Sequence, residues 1–92
     1  MTSLTYEILL ALADAERHGY GIIKEIEAQQ GVGSTPSTGA LYLALQRLER
    51  EGLVEEAAAG GEGDDARRRY YRLTRRGRAA AEEESARLAT LV

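Results

Sequence analysis

The stretch 36–54, PSTGALYLALQRLEREGLV, decides the fold, because it holds a helix whose two faces ask for different partners. Leu41, Leu45 and Leu48 recur at i, i+4 and i+7, so at ~100° per residue they form one apolar stripe that packs on a small core. The other side carries Gly39, Tyr42, Leu43, Gln46, Arg47 and Arg50. A plain surface helix shows mostly Glu and Lys there. A glycine, a phenol, an aliphatic side chain and two guanidinium groups suit a groove better than bulk water. Ser37 is a good N-cap, since its hydroxyl accepts from the free N–H groups of the first turn, and Pro36 discourages the helix from running further back. At the far end Gly52 supplies a left-handed stop before Leu53 and Val54.

The remainder of the chain limits what this helix belongs to. With 92 residues the sequence is one domain, near the size where oligomerisation adds useful burial. It has no Cys and one His, which excludes a disulfide framework, a Cys-based zinc site and a Cys nucleophile. No nucleophile, base and orienting group occur together, so neither an enzyme nor a metal or cofactor site is expected. No apolar run approaches ~18 residues, and the start MTSLTYEILL lacks the basic region and cleavage site of a signal peptide. A cytoplasmic protein is the expectation. The net charge is -3, yet Arg67, Arg68, Arg69, Arg72, Arg75, Arg76 and Arg78 crowd one segment, with Glu82, Glu83 and Glu84 just beyond it. A basic face on an acidic protein is compatible with nucleic acid.

Taken in order, Leu4 to Ala13 reads as a first helix that is apolar on nearly every side, so it needs more than one neighbour. Either part of it meets a second subunit, or it is a central core helix. Asp14 to His18 reads as a turn, with His18 a turn histidine that caps or hydrogen-bonds backbone. Tyr20 to Gln30 is a second helix with Ile22, Ile23 and Ile26 at core spacing. The loop 31–38, GVGSTPST, places the hydroxyls of Ser34, Thr35, Ser37 and Thr38 at the N-terminus of the central helix, where the dipole and free N–H groups favour a phosphate. Leu53 to Glu56 is a short strand. The loop 57–66, AAAGGEGDDA, breaks all periodicity, and Arg67 to Thr74 is a second strand with Tyr71 and Leu73 on one face. Glu62, Asp64 and Asp65 at the tip would avoid phosphates, leaving Arg67 to Arg69 as the contacting flank. Thr74 is the expected N-cap of a last helix carrying Ala81, Leu88, Leu91 and Val92 along one side.

A small-residue turn, then GALYLALQRLEREGLV, then a variable loop and RRRYYRLTRRGR, resembles the DNA-binding domain of the PadR-like transcriptional regulators, and His18-Gly19-Tyr20-Gly21 is similar to that family's HGY signature. The resemblance runs from about Leu4 to about Ala81. It implies a mainly α fold with a small β-hairpin: a winged helix-turn-helix over residues 1–76 plus a C-terminal dimerisation helix over 77–92. It also implies a homodimeric regulator of double-stranded DNA, most simply a repressor, with the 37–51 helix in the major groove and the 53–74 hairpin as wing. Tyr42, Gln46 and Arg47 are then candidates for base edges or nearby phosphates, and Leu43 for a thymine methyl. Thr35, Ser37, Thr38, Arg67, Arg68 and Arg69 would hold the backbone. In short relatives the last helix pairs with its copy, which makes Ala81, Leu88 and Leu91 expected dimer residues, and the all-round apolar first helix adds Leu4 and Leu9. Two positions depart from the family pattern: Leu43 stands where Pro usually follows the Tyr, and Ala40 where Thr often precedes the Leu-Tyr pair. Together with the acidic charge they motivate a second reading, a winged-helix protein-interaction module without DNA binding. A small-molecule effector stays an open partner of unknown identity, and with no Trp and no Phe a flat aromatic sandwich at the dimer centre is not implied.

Overall fold

In a computed structural model of the chain, residues 1–31, 33, 35–57 and 68–91 are described. The expectations for Ser34, for the loop acids Glu62, Asp64 and Asp65, for Arg67 and for Val92 lie outside the described residues. Among the described residues, four helices and a three-stranded antiparallel sheet follow in the order α1 (Ser3–Ala11), β1 (Arg17–His18), α2 (Gly19–Gln30), α3 (Thr38–Arg50), β2 (Val54–Ala57), β3 (Tyr70–Leu73) and α4 (Arg75–Thr90).

Helix starts follow local chemistry. Thr2, His18, Ser37 and Thr74 each have extended backbone and a side chain that accepts from the N–H three residues on, at Thr5, Gly21, Ala40 and Gly77. Each of these bonds satisfies a donor that the first turn otherwise leaves free. The end of α3 is likewise as expected: Glu51 closes it, and Gly52 turns the chain with a φ of 76°.

The apolar stripes meet in one core of Ile8, Leu9, Leu12, Ile22, Ile26, Leu41, Leu45, Leu48, Val54, Tyr71 and Ala81. Tyr71 points inward and Leu73 packs against the same core, while Arg72 is exposed, as alternation along a strand requires. Burial also holds the Tyr71 hydroxyl above its ordinary pKa, with the Glu49 carboxylate adding to the shift.

Three expectations are corrected. Residues 14–18 are not all turn, because Arg17 and His18 pair with Tyr71 and Tyr70 and make a third strand, so the sheet order is β1-β3-β2. A two-residue strand has no periodicity of its own; only a partner some fifty residues on creates it. Leu9 is 0% exposed because α1 lies against α2, α3 and α4 of its own chain. It therefore has no surface for a second subunit, whereas Leu4, Tyr6 and Leu10 of α1 stay partly exposed. Ala81, at 6% exposed, is likewise buried in its own core, and Leu4 is half-buried against it. Of the expected dimer residues, Leu88 (37% exposed) and Leu91 (69%) stay open.

The start of α4 is latched to the end of the α3–β2 turn. Thr74 N–H donates to the Leu53 carbonyl at 3.1 Å, and Thr74 Oγ1 donates to the Gly52 carbonyl at 2.6 Å while accepting from Gly77 N–H at 3.0 Å. Gly77 makes this possible, since a Cβ there would overlap the Leu53 carbonyl oxygen and lie 2.9 Å from its carbon. Further along, Tyr6 Oη and Ser85 Oγ meet at 2.7 Å and tie α1 to the middle of α4. Beyond that point α4 runs on exposed. Among the described residues no helix is long and apolar enough to cross a membrane.

Candidate nucleic-acid interface

With Leu41, Leu45 and Leu48 buried, the helical period turns Gly39, Tyr42, Leu43, Gln46, Arg47 and Arg50 outward, and all six are exposed. Leu43 is 69% and Tyr42 41% exposed, although large apolar and aromatic groups are costly to leave in water. The two diverge. Leu43 borders a hollow on the α1 side, with Thr2, Thr5, Ala40, Ala44, Arg47 and Arg50 around it. Tyr42 faces the other way, into a groove of about 410 Å³ that it lines with His18, Gly19, Tyr20, Arg68 and Arg69. The groove thus joins the start of α2, the first turns of α3 and the base of β3.

Gly19 holds Tyr42 in that position by having no side chain. A Cβ there would overlap Tyr42 Oη and lie 2.7 Å from Cζ. Because the phenol is the movable partner, Gly19→Ala is expected to displace Tyr42 rather than unfold the chain. The melting temperature should change by no more than a few degrees, while affinity for DNA falls several-fold through the misplaced ring. Unaltered binding by G19A would remove Tyr42 from the contact surface.

The arginines that are adjacent in sequence part company in space. Arg72 lies between Glu55, whose Oε1 accepts from its Nε at 3.0 Å, and Glu16 at 3.7 Å. Arg78 donates to the Ala13 carbonyl at 3.2 Å, just past the end of α1, and Arg76 lies beside Gly52. Among the described arginines of this run, Arg68 and Arg69 reach the groove. Arg69 pairs at 3.4 Å with Glu56 on the neighbouring strand, and Arg68 Nη1 lies 2.8 Å from His18 Nε2.

The hydroxyls before α3 also separate. Ser37 Oγ caps the helix by accepting from Ala40 N–H at 3.1 Å and keeps its own hydrogen to donate. Thr38 is exposed at the first turn. Thr35 Oγ1 instead donates at 2.7 Å to Glu27 on α2, and this bond, followed by the nearby Lys24 charge, holds the Glu27 carboxyl below its ordinary pKa. A hydroxyl committed to a carboxylate is poorly placed to receive a phosphate. Sequence reasoning left His18 and Tyr20 out of the interface. Their signal was the HGY motif itself, in which Gly19 leaves room for Tyr42 of α3.

Among the described residues no cluster of three or more His, Cys, Asp or Glu side chains could hold a metal ion. Three helices with α3 presented outward, followed by a hairpin whose base flanks it, define a winged helix-turn-helix protein. The chain belongs to the transcriptional regulator PadR-like family, whose model matches residues 8–83.

Solved structures agree. A PadR family transcription regulator from Clostridium difficile R20291 superposes with a TM-score of 0.84 at 24% identity, over 98% of this chain and 91% of that one. A transcriptional regulator from Clostridium thermocellum gives 0.79 at 26% identity, over 99% and 90%. Bacillus subtilis PadR, solved in complex with operator DNA, gives 0.75 at 25% identity, over 90% of this chain and 46% of that chain. No curated protein matches the sequence significantly. The protein is therefore a DNA-binding transcriptional regulator of the PadR-like family rather than an enzyme.

Proposed function

We propose that the protein is a repressor that binds as a homodimer, each protomer laying α3 into a major groove and setting the base of its wing against the adjacent backbone. The observation that carries this reading is the outward face of α3. Tyr42, Leu43, Gln46 and Arg47 are exposed together on a helix anchored by three buried leucines, next to a groove edged by Arg68 and Arg69. A rigid helix with an uncovered polar and aromatic face suits base edges, and the flanking cations suit phosphates. The Bacillus subtilis relative's complex with operator DNA supports the same role.

In this reading Gln46 and Arg47 reach base edges, Leu43 meets a thymine methyl, and Ser37, Thr38, Arg68 and Arg69 position the duplex. Two-fold symmetry then places the two copies of α3 on half-sites about one helical turn, ~34 Å, apart. The exposed end of α4, with Leu88 and Leu91, is the surface that pairs with its copy. Repression follows from steric exclusion at the bound site.

The test is binding to the DNA upstream of the protein's own gene at two salt concentrations, against a random duplex as competitor. A specific, salt-sensitive shift is expected, with a footprint showing two protected half-sites. Equal affinity for random and upstream DNA would count against autoregulation. The absence of any shift up to high micromolar protein would return the fold to a protein-interaction role.

A further inference from the structure

Two arginines of α3 stand without a carboxylate in an acidic chain. Arg17, Arg72 and Arg87 each lie against carboxylates of the fold. Arg47 and Arg50 do not. Glu51 follows Arg47 by four residues, a spacing that permits a pair along a helix, yet among the described residues no hydrogen bond or ion pair engages either guanidinium.

Both line the hollow of about 430 Å³ between α3 and the start of α1. The other polar side chains on its wall are Thr2 and Thr5, and the fold sets their hydroxyls. Thr2 Oγ1 accepts from Thr5 N–H at 3.2 Å, and the two hydroxyl oxygens lie 2.7 Å apart. One hydroxyl hydrogen makes the bond between them, so the other is spare. The polar side chains on this wall thus offer hydrogens and positive charge, and none is acidic, since Glu51 borders the adjoining hollow instead. A group that fits is an anion with several lone pairs.

We propose that this hollow is a second DNA-phosphate site: Arg50 supplies the charge, and the Thr2–Thr5 hydroxyl pair one further hydrogen bond, to a backbone phosphate on the α1 side of α3. The inference rests on the DNA-binding reading and deepens it. A major groove is walled by two phosphate strands, so a helix lying in it has one on each side. Arg68 and Arg69 stand on the side that Tyr42 faces, and Arg50 and the threonines on the side that Leu43 borders. Together the two edges hold both strands. Position along α3 separates the two arginines. Base edges are read by the early part of a recognition helix, and Arg50, the final residue of α3, lies ~4.5 Å further along the axis than Arg47. Arg47 keeps its base edge, and Arg50 meets the backbone.

Two substitutions distinguish the contact from the fold. Arg50→Ala removes charge at an exposed position that makes no internal bond, so the variant is expected to melt within about 3 °C of the wild type. It should bind the upstream duplex and a random duplex alike roughly fivefold more weakly near 0.15 M salt, with a salt slope lower by about 0.9, and Arg50→Lys should restore the slope. Thr2→Asp keeps a good N-cap for α1 but sets a carboxylate in the hollow. It should melt no lower than the wild type and bind at least as weakly as R50A. A single methylphosphonate walked along the duplex should find one position that weakens the wild type but not R50A, distinct from the position that falls silent when Arg68 and Arg69 are replaced by Ala. Wild-type affinity and slope in R50A, or wild-type affinity in T2D, would overturn the proposal while leaving DNA binding intact. A wild-type protein that shifts no duplex at all would overturn the DNA-binding reading and the proposal with it.

Discussion

Gly77→Ala is expected to destabilise the protein by about 2 kcal/mol, although helix propensity alone gives the opposite sign. In an exposed helix interior, Ala is favoured over Gly by about 1 kcal/mol. Here the position is buried, and the added methyl would overlap the Leu53 carbonyl oxygen and sit 2.9 Å from its carbon and 3.3 Å from its Cα. Backbone cannot swing aside as a side chain can. Moving Leu53 would stretch its bond from Thr74 N–H, loosen the contact between Thr74 Oγ1 and the Gly52 carbonyl, and lift the first turn of α4. Ala81 sits one turn further along and would leave the core with it. For a domain of this size the melting temperature should fall by roughly 10 °C, read at equal protomer concentration so that association does not confound it. A rise in melting temperature would mean that α4 and β2 do not approach as closely as described.

Removing both groove arginines, with Arg68→Ala and Arg69→Ala together, is expected to weaken binding to every duplex alike. Every phosphate that is no longer neutralised lowers the slope of log K against log salt by about 0.9, so two of them give ~1.8 and roughly a 30-fold weaker affinity near 0.15 M salt. Arg69 is available for such a role, because its pair with Glu56 is long, at 3.4 Å, and exposed on both sides. Exposed pairs of this kind hold their partners weakly. Arg72→Ala is the control. It comes from the same run of sequence, but its guanidinium is held between Glu55 and Glu16, and those acids would repel a phosphate. The R72A slope should match the wild type, whereas an unchanged slope in the double variant would take the wing base out of the interface.

These two variants mark the difference between what is local and what is not. The four helices were legible because their signals lie within a few residues: a stripe at Leu41, Leu45 and Leu48, a capping hydroxyl at Ser37 and Thr74, a stop at Gly52. The inward side of β3 was legible as well, since alternation sends Tyr71 and Leu73 one way and Arg72 the other. The outward face of α3 followed by subtraction. Whatever the leucine stripe does not bury must face out, and the departures at Ala40 and Leu43 do not alter that geometry.

Other features depended on residues far apart in the chain. The strand at Arg17 and His18 exists because Tyr70 and Tyr71 supply its hydrogen-bonding partner. Leu9 and Ala81 looked available for a second subunit because a sequence shows that a residue is apolar without showing which apolar surface covers it. The arginine run looked continuous, but a strand, a turn and a helix carry its members to different neighbours, and of its described members Arg68 and Arg69 arrive at the groove. The role of Gly77 likewise depends on a carbonyl from another element.

By itself, then, the sequence determined the helices, their caps, the buried face of α3 and the family, because each rests on periodicity, short-range hydrogen bonding or a contiguous motif. Only the tertiary structure decided the third strand, the burial of Leu9 and Ala81, the sorting of the arginines and the meeting of His18 with Arg68. Those are contacts between elements, and their geometry is set when the core closes.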